Sequence, residues 1–174
     1  MLSRLSLFFI AVFFQLPLFI LHGLGELLGL VAYQFDRRFK ERIDANLKHA
    51  FISSDENNLK ELTQLSVREI GKCLMEAPAI WFNSPQKNFR WVKQCSGWQH
   101  VETALKKKKG IIFLTPHLGC FEITAQYYAH FHPITVLFKR PKLNWLANIV
   151  LSGRRHSQVH LAEANLHGVK QLMQ

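Results

Sequence analysis

Acidic side chains are scarce in the second half of this 174-residue sequence. Residues 87–174 carry thirteen Lys and Arg against three Glu and no Asp, whereas residues 1–86 carry nine side chains of each sign. The formal charge of +10 therefore comes entirely from the second half. A field of this sign attracts anions such as nucleic-acid phosphates, anionic lipid headgroups or an acidic carrier protein.

Cysteines are also few, and no C-x-x-C pair occurs. Cys73, Cys95 and Cys120 are widely spaced and odd in number, which argues against a disulfide framework and a thiolate zinc site. His156 and His160 have the helical spacing of metal ligands, but no carboxylate cluster accompanies them. We therefore predict no metal and no cofactor, in a reducing environment that faces the cytosol.

The sequence lacks the motif of any nucleic-acid-binding module. Trp residues do lie among Lys87, Arg90 and Lys93, where they could stack on bases. The same mixture is common where a protein rests on a membrane interface. We do not predict nucleic acid as a partner.

Formal charge is absent from residues 5–25, which are rich in Leu, Phe and Ile. As one helix this run would be about 31 Å long, roughly the hydrocarbon thickness of a bilayer. We predict a retained membrane anchor over residues 1–34. A cleavable signal peptide fits less well, because the run is long and no small-x-small cleavage site follows. Pro17 and three glycines leave a buried core helix, a re-entrant helix and an in-plane helix open.

Basic residues follow the apolar run and outnumber the single Arg4 before it. The positive-inside rule then places the body of the protein in the cytoplasm. The same residues can contact anionic headgroups: Arg37, Arg38, Lys40 and Arg42. An apolar residue recurs every fourth position, which predicts an amphipathic helix with one face against protein or membrane: Phe39, Ile43, Leu47 and Phe51.

The middle of the chain is predicted to be helical. Ser53 with Glu56 has the pattern of a capping box, and the apolar spacing that follows predicts a helix over 59–76 that stops near Pro78. Residues 81–98 are expected to be irregular or short-stranded, and 101–109 to form a short helix.

An α/β fold is indicated by the segment that begins at Gly110. Residues 111–115 and 134–138 are short apolar or β-branched runs without polar alternation, which predicts strands buried on both faces of a parallel sheet. A helix from Gly119 onward would connect them as a right-handed βαβ unit. A final helix is expected from about Leu161.

His117 and Glu122 form a candidate catalytic pair. His117 directly follows the first predicted strand, at the edge where open α/β sheets collect their active groups. A turn between them would let the Glu122 carboxylate accept the imidazole Nδ1–H and leave Nε2 free to take a proton from a hydroxyl. The same spacing between His117 and Glu122 also fits a histidine that only packs against the end of the strand and has no catalytic role.

The segment GIIFLTPHLGCFE, residues 110–122, closely resembles the block of the lysophospholipid-acyltransferase superfamily in which a His and an acidic residue flank four others. Lys139-Arg140-Pro141, followed by Gly153-Arg154-Arg155, is similar to the second block of the late lipid A acyltransferases, the lauroyl/myristoyl transferase family. The apolar N-terminus and the Arg42 region resemble that family in the same order.

This resemblance implies transfer of a fatty acyl chain from acyl carrier protein, or from coenzyme A, to a hydroxyl of a lipid A precursor. The reaction would take place on the cytoplasmic face of the bacterial inner membrane. His117 would be the general base and Glu122 would orient it. The resemblance assigns substrate binding to four basic residues, of which the first arginine would hold acceptor phosphate or sugar: Arg140, Arg154, Arg155 and Lys139.

Two further expectations follow. Members of this family are longer, so residues 35–174 are expected to be an incomplete catalytic domain, an α/β fold of the glycerolipid acyltransferase type that holds helices and the first βαβ part of a mostly parallel sheet. Two alternatives stay open: an acyltransferase for a glycerophospholipid or amino-acid lipid, and an inactive, membrane-tethered basic fragment that binds anions.

Overall fold

The computed structural model describes residues 4–50, 55–116, 118–155 and 158–173. Its contacts divide the chain into two compact units, Met1–Phe82 and Asn83–Gln174. The predicted division into an anchor over 1–34 and a catalytic part over 35–174 stays a prediction. The described part of the first unit is helical: α1 (Arg4–Phe13), α2 (Leu18–Phe35), α3 (Arg37–Ala50) and α4 (Glu56–Phe82).

The apolar N-terminal run forms two helices rather than one. α1 ends at Phe13, and α2 begins at Leu18, directly after Pro17. Proline has no N–H to donate and its ring clashes with the preceding turn, so a continuous helix over 5–25 is disfavoured. α2 then continues past residue 25 to Phe35, because no further proline intervenes before Asp36.

The two following helices begin at aspartate caps. The Asp36 carboxylate accepts the backbone N–H groups of Arg38 and Phe39, at the start of α3. α3 confirms the amphipathic helix predicted there, although Phe51 lies outside the described residues. Ser53, the predicted cap of α4, is outside them too, and the Asp55 side chain accepts the N–H of Asn58 at that helix start.

The predicted stop at Pro78 is wrong, because α4 continues to Phe82. Proline removes one hydrogen bond from the helix, but the turn beyond it buries Ala79 and Ile80 completely. Phe82 also stacks on Phe14 at a centroid distance of 5.9 Å. Tertiary packing thus keeps the helix going where local propensity would end it.

Glycines allow α2 and α4 to touch along their backbones. A Cβ on Gly71 would overlap the carbonyl of Gly25, and one on Gly29 would overlap that of Val67. These contacts pair rising residue numbers on α2 with falling numbers on α4, so the two helices are antiparallel. The first unit is therefore built around a closely packed helix pair.

The second unit combines helices with a small sheet. Its helices are α5 (Pro85–Phe89), α6 (Trp98–Lys106), α7 (Glu122–Ala129), α8 (Asn144–Arg154) and α9 (Leu166–Leu172). β1 (Ile134–Phe138) pairs in parallel with β2 (Val159–Glu163), in a register that sets Ile134 beside Val159 and Phe138 beside Glu163. This parallel pair within a mostly helical chain confirms the α/β class.

The βαβ unit lies one element later than predicted. The strand at 134–138 and the helix before it are confirmed, but the unit is β1–α8–β2. Residues 111–115, all of them described, belong to no strand, and Ile112 and Leu114 are each 90% exposed. An apolar run becomes a buried strand only where a neighbouring strand supplies hydrogen bonds, and the described chain offers none there.

The predicted helix from Leu161 is also wrong in its first residues. Leu161 and Ala162 lie in β2, opposite Val136 and Leu137 of β1, and the helix begins only at Leu166. The pairing with β1 outweighs the helical pattern of this segment. The Asn165 side chain then accepts the Gly168 N–H and caps α9.

An aromatic cluster joins α5, α6 and α7. The ring of Trp98 lies 4.8 Å from that of Phe131, and Phe89 stacks on Tyr127 at 5.4 Å and on His130 at 4.0 Å. The short helix α5 replaces part of the segment that was predicted to be irregular or stranded. Trp98 packs against protein rings, which is a structural role.

Candidate functional site

A partly buried ion pair joins the start of α7 to the end of α8. Glu122 is the first residue of α7 and only 8% exposed. The Nε of Arg154 donates to its Oε2 at 2.9 Å, and the Nη2 of the same guanidinium donates to Oε1. This two-pronged contact fixes the plane of the carboxylate as well as its position.

Gln126 lies one helical turn after Glu122 and holds the same end of α8. Its Nε2 donates to the carbonyl of Gly153 at 3.2 Å, and its Oε1 accepts from Nδ2 of Asn88 at 2.8 Å. Asn88 is completely buried, and Gln126 is nearly so. Two successive turns of α7 therefore bind Gly153 and Arg154. The Gln126 amide donates to the Gly153 carbonyl, which has no hydrogen-bond donor within α8 because it lies in the last turn of that helix.

A pocket of about 510 Å³ opens where β1 ends. Arg140, two residues past the strand, lines it together with residues of α8 and the residue that follows that helix: Asn148, Leu151, Ser152 and Arg155. Asn148 and Ser152 are four residues apart and so share one face of α8. The pocket thus lies at the carboxyl end of a parallel strand, where α/β sheets bind their ligands.

The lining of this pocket suits an anion. Two guanidinium groups and two short polar side chains face it, and no carboxylate is among the described residues that line it. Guanidinium groups bind phosphate through two parallel hydrogen bonds. Lys139 is exposed beside Arg140 but does not line the pocket.

The predicted site residues fall into two groups. Arg140 and Arg155 meet in the pocket, whereas Arg154 turns the other way and pairs with Glu122. His117 and His156 lie outside the described residues, so the geometry of the predicted dyad stays a prediction, as do the substrate contacts assigned to the basic residues.

Sequence reasoning missed the polar residues that support this site. Gln126 and Asn88 were not singled out, although a glutamine four residues after Glu122 shares its helix face. Asn148 and Ser152 carry the same i, i+4 signal on α8. The partner of Arg154 could not be read from the sequence, because 32 residues separate it from Glu122.

Two tyrosines on α7 have pKa values above the usual value of a phenol, so they stay neutral to higher pH. Burial raises the pKa of Tyr128, and burial together with the nearby Cys95 raises the pKa of Tyr127. Both rings belong to the aromatic cluster, which thereby supports the helix that carries Glu122 without adding charge to it.

Comparison with known proteins identifies the family. The model of the bacterial lipid A biosynthesis acyltransferases matches residues 1–174. The chain belongs to this family. It is also 25% identical over 135 residues to the lipid A biosynthesis lauroyltransferase of Escherichia coli strain K12. That match covers 76% of this chain and 44% of the relative, so the matched part spans less than half the length of the Escherichia coli enzyme.

Proposed function

We propose that this lipid A acyltransferase family member transfers a fatty acyl chain from a thioester to a hydroxyl of a lipid A precursor. The observation that carries the proposal is the position of Glu122. This residue lies five residues after His117, is buried, and is held by Arg154. Family membership and the name of the lauroyltransferase relative support the same reaction class.

In the proposed mechanism, Nε2 of His117 removes the proton of the acceptor hydroxyl as its oxygen attacks the thioester carbonyl. The carbon–sulfur bond then breaks, and the leaving thiolate takes the proton from the imidazolium. Glu122 accepts the Nδ1–H of His117 and stabilises the imidazolium. Each carboxylate oxygen has two lone pairs, so Glu122 can contact Arg154 and His117 together.

Arg154 has a positioning role in this scheme. Its guanidinium holds both oxygens of Glu122 and so fixes the direction in which the carboxylate can accept from the imidazole. The family resemblance assigned Arg154 to substrate; the ion pair supports a role behind Glu122 instead.

Arg140 and Arg155 bind a phosphate of the acceptor in this proposal, with Asn148 and Ser152 as neutral hydrogen-bonding partners. The pocket that these four side chains line has the charge and size for such a group. Lys139 adds positive charge beside Arg140. The basic residues 87–174 suit an anionic donor, which an acidic acyl carrier protein and the phosphates of coenzyme A both are.

The reaction is placed at the cytoplasmic face of the bacterial inner membrane, with residues 1–34 as the membrane attachment. Among the described residues, α2 is the one helix that is long and apolar enough to cross a bilayer. Basic residues follow it on α3 and suit the anionic surface of the cytoplasmic leaflet.

The test is acyl transfer by membranes that contain the chain. Labelled acyl carrier protein thioester is offered with a lipid A precursor and, in parallel, with lysophosphatidic acid. We expect the lipid A precursor to be acylated, His117→Ala to reduce the rate by at least a hundredfold, and His100→Ala, an exposed position on α6, to leave it unchanged. Full activity of His117→Ala would refute the base assignment, and preference for the glycerol lipid would refute the acceptor.

A further inference from the structure

Charges line one edge of the α2/α4 helix pair. Glu26 of α2 contacts Lys72 at 3.1 Å and Arg68 at 3.9 Å, both on α4. One turn away, Nε2 of His22 lies 2.7 Å from the Glu76 carboxylate. These partners recur every four residues on both antiparallel helices, so the contacts form a row along the helix pair.

The opposite edge of the same pair is apolar. Leu24 and Leu28 stand two residues to either side of Glu26, and Ile70 and Leu74 stand two residues to either side of Lys72. Two residues correspond to about 160° around a helix, so these side chains point away from the charges. All four are exposed, Leu74 by 63%.

Other large hydrophobic side chains are exposed on α1 and α2, where no described part of the chain covers them: Leu5, Phe8, Phe9 and Val12 on α1, and Leu27 and Val31 on α2. Leu27 and Val31 lie about 100° and 140° around α2 from Glu26, whereas the exposed Phe19 lies on the side of Glu26. The neighbouring helix α3 carries basic residues that complement anionic headgroups: Arg37, Arg38, Lys40, Arg42 and Lys48. An apolar surface beside basic residues is typical of helices that lie in a membrane interface.

A spanning α2 conflicts with its packing against α4. Because the helices are antiparallel and touch from Gly25 to Gly29, a bilayer around α2 would also enclose the adjacent part of α4. That part carries Arg68, Glu69, Lys72 and Glu76, and charged side chains are strongly disfavoured in the hydrocarbon region.

We propose that α1, α2 and the adjacent part of α4 lie in the plane of the membrane, with the apolar edge in the lipid and the charged edge in water. The partner of this surface is an anionic phospholipid bilayer. This inference concerns how the chain attaches to the membrane and holds whether or not the acyl transfer assignment is correct.

Spin labels at three positions test the orientation. Ile20→Cys, near the start of α2, and Leu27→Cys, near its middle, are on the same side of the helix and about 10 Å apart along its axis, and Glu69→Cys is on α4. Each is introduced with Cys73, Cys95 and Cys120 replaced by Ala, and circular dichroism confirms that the helices persist. Depth is read as collision with oxygen against a water-soluble nickel chelate, in phosphatidylethanolamine/phosphatidylglycerol vesicles.

An in-plane helix pair predicts similar, shallow depths at positions 20 and 27 and free access of the nickel chelate to position 69. A label at position 27 that lies deeper than the label at position 20 by about 5 Å or more, with position 69 sheltered, would establish a spanning α2 and overturn the proposal. Equal exposure of all three labels to the chelate, or protection without lipid contact, would show that water or protein covers the surface, which overturns it as well.

A second variant keeps the native cysteines. Leu74→Glu places a charge on the apolar edge of α4 and is expected to lower vesicle binding at least tenfold in flotation assays. Glu69→Gln, on the opposite side of the same helix, is expected to leave binding unchanged or slightly stronger. Equal binding by the wild-type chain and Leu74→Glu would contradict the proposal.

Discussion

The two adjacent arginines at the end of α8 are predicted to respond to mutation in opposite ways. Arg154 pairs with a carboxylate whose side chain is 6% exposed, whereas Arg155 faces the open pocket. Arg154→Gln removes the partner of a buried charge, which typically costs 3–5 kcal/mol. Because the Arg154 side chain is itself 24% exposed, water can compensate in part, and we expect a loss of about 2–3 kcal/mol in the free energy of unfolding.

Arg155→Gln is the matched control for the same chemical change. It removes a guanidinium from a solvent-exposed position, so its effect on unfolding should stay within about 0.5 kcal/mol. Urea unfolding of the chain in detergent, followed by tryptophan fluorescence, to which Trp98 of the aromatic cluster contributes, measures both values. A double variant that also carries Glu122→Gln should regain part of the stability lost in Arg154→Gln, since no buried charge is then left alone.

The variants of the two arginines should also differ in their kinetic constants. In the proposed mechanism, Arg154→Gln disturbs the carboxylate that orients His117 and should lower kcat at least tenfold, with a smaller change in KM, whereas Arg155→Gln should mainly raise KM for the proposed phosphorylated acceptor. Equal destabilisation by the two single variants, or an unchanged unfolding free energy in Arg154→Gln, would refute the reasoning from the ion pair.

Three further outcomes are expected. Gln126→Leu leaves the carbonyl of Gly153 without its side-chain donor and should cost about 2 kcal/mol by urea unfolding. Gly71→Ala forces α2 and α4 apart and should lower the free energy of unfolding by about 1–3 kcal/mol. A Cβ at Gly23 meets no neighbouring atom, so Gly23→Ala should instead raise the free energy of unfolding by about 0.5–1 kcal/mol. Equal effects of the two variants in urea unfolding would contradict the close packing of the helices. Burial and a hydrogen bond to an aspartate on α3 raise the pKa of Tyr33 to about 12, so unfolding titrations should show stability falling between pH 10 and 12. The raised pKa values of Tyr127 and Tyr128 contribute to the same fall, so Tyr33→Phe should make the slope shallower without abolishing it.

Local patterns were enough to predict several elements. The four-residue apolar spacing from Phe39 gave α3, and the β-branched run gave β1 at Ile134–Phe138. These succeed because periodicity reports directly on which face is buried. The capping pattern also predicted the start of α4 to within one turn. The hydrogen bond seen at that helix start, however, is accepted by the Asp55 side chain from the N–H of Asn58.

Predictions failed where a distant partner decides the structure. Residues 111–115 have the composition of a strand, but Phe113 instead packs on Tyr128 of α7, with ring centroids 4.8 Å apart. Pro78 should end a helix in isolation, yet the burial of Ile80 keeps α4 intact. The contact of Arg154 with Glu122 could not be predicted either, because only the fold brings the two residues together; the assignment of Arg154 to substrate stays a prediction.

The end of α8 links the two parts of the candidate site mechanically. Consecutive Cα atoms are about 3.8 Å apart, so the backbone positions of Arg154 and Arg155 are fixed relative to each other. The hydrogen bond from Gln126 to Gly153 holds the preceding peptide against α7, which also carries Glu122. A phosphate held by Arg155 and Arg140 would therefore lie at a defined distance from the Glu122 carboxylate. In the proposed reaction, this rigidity lets acceptor binding place the reacting hydroxyl near His117, because the helix end that binds the phosphate is also the one that orients the carboxylate behind the base.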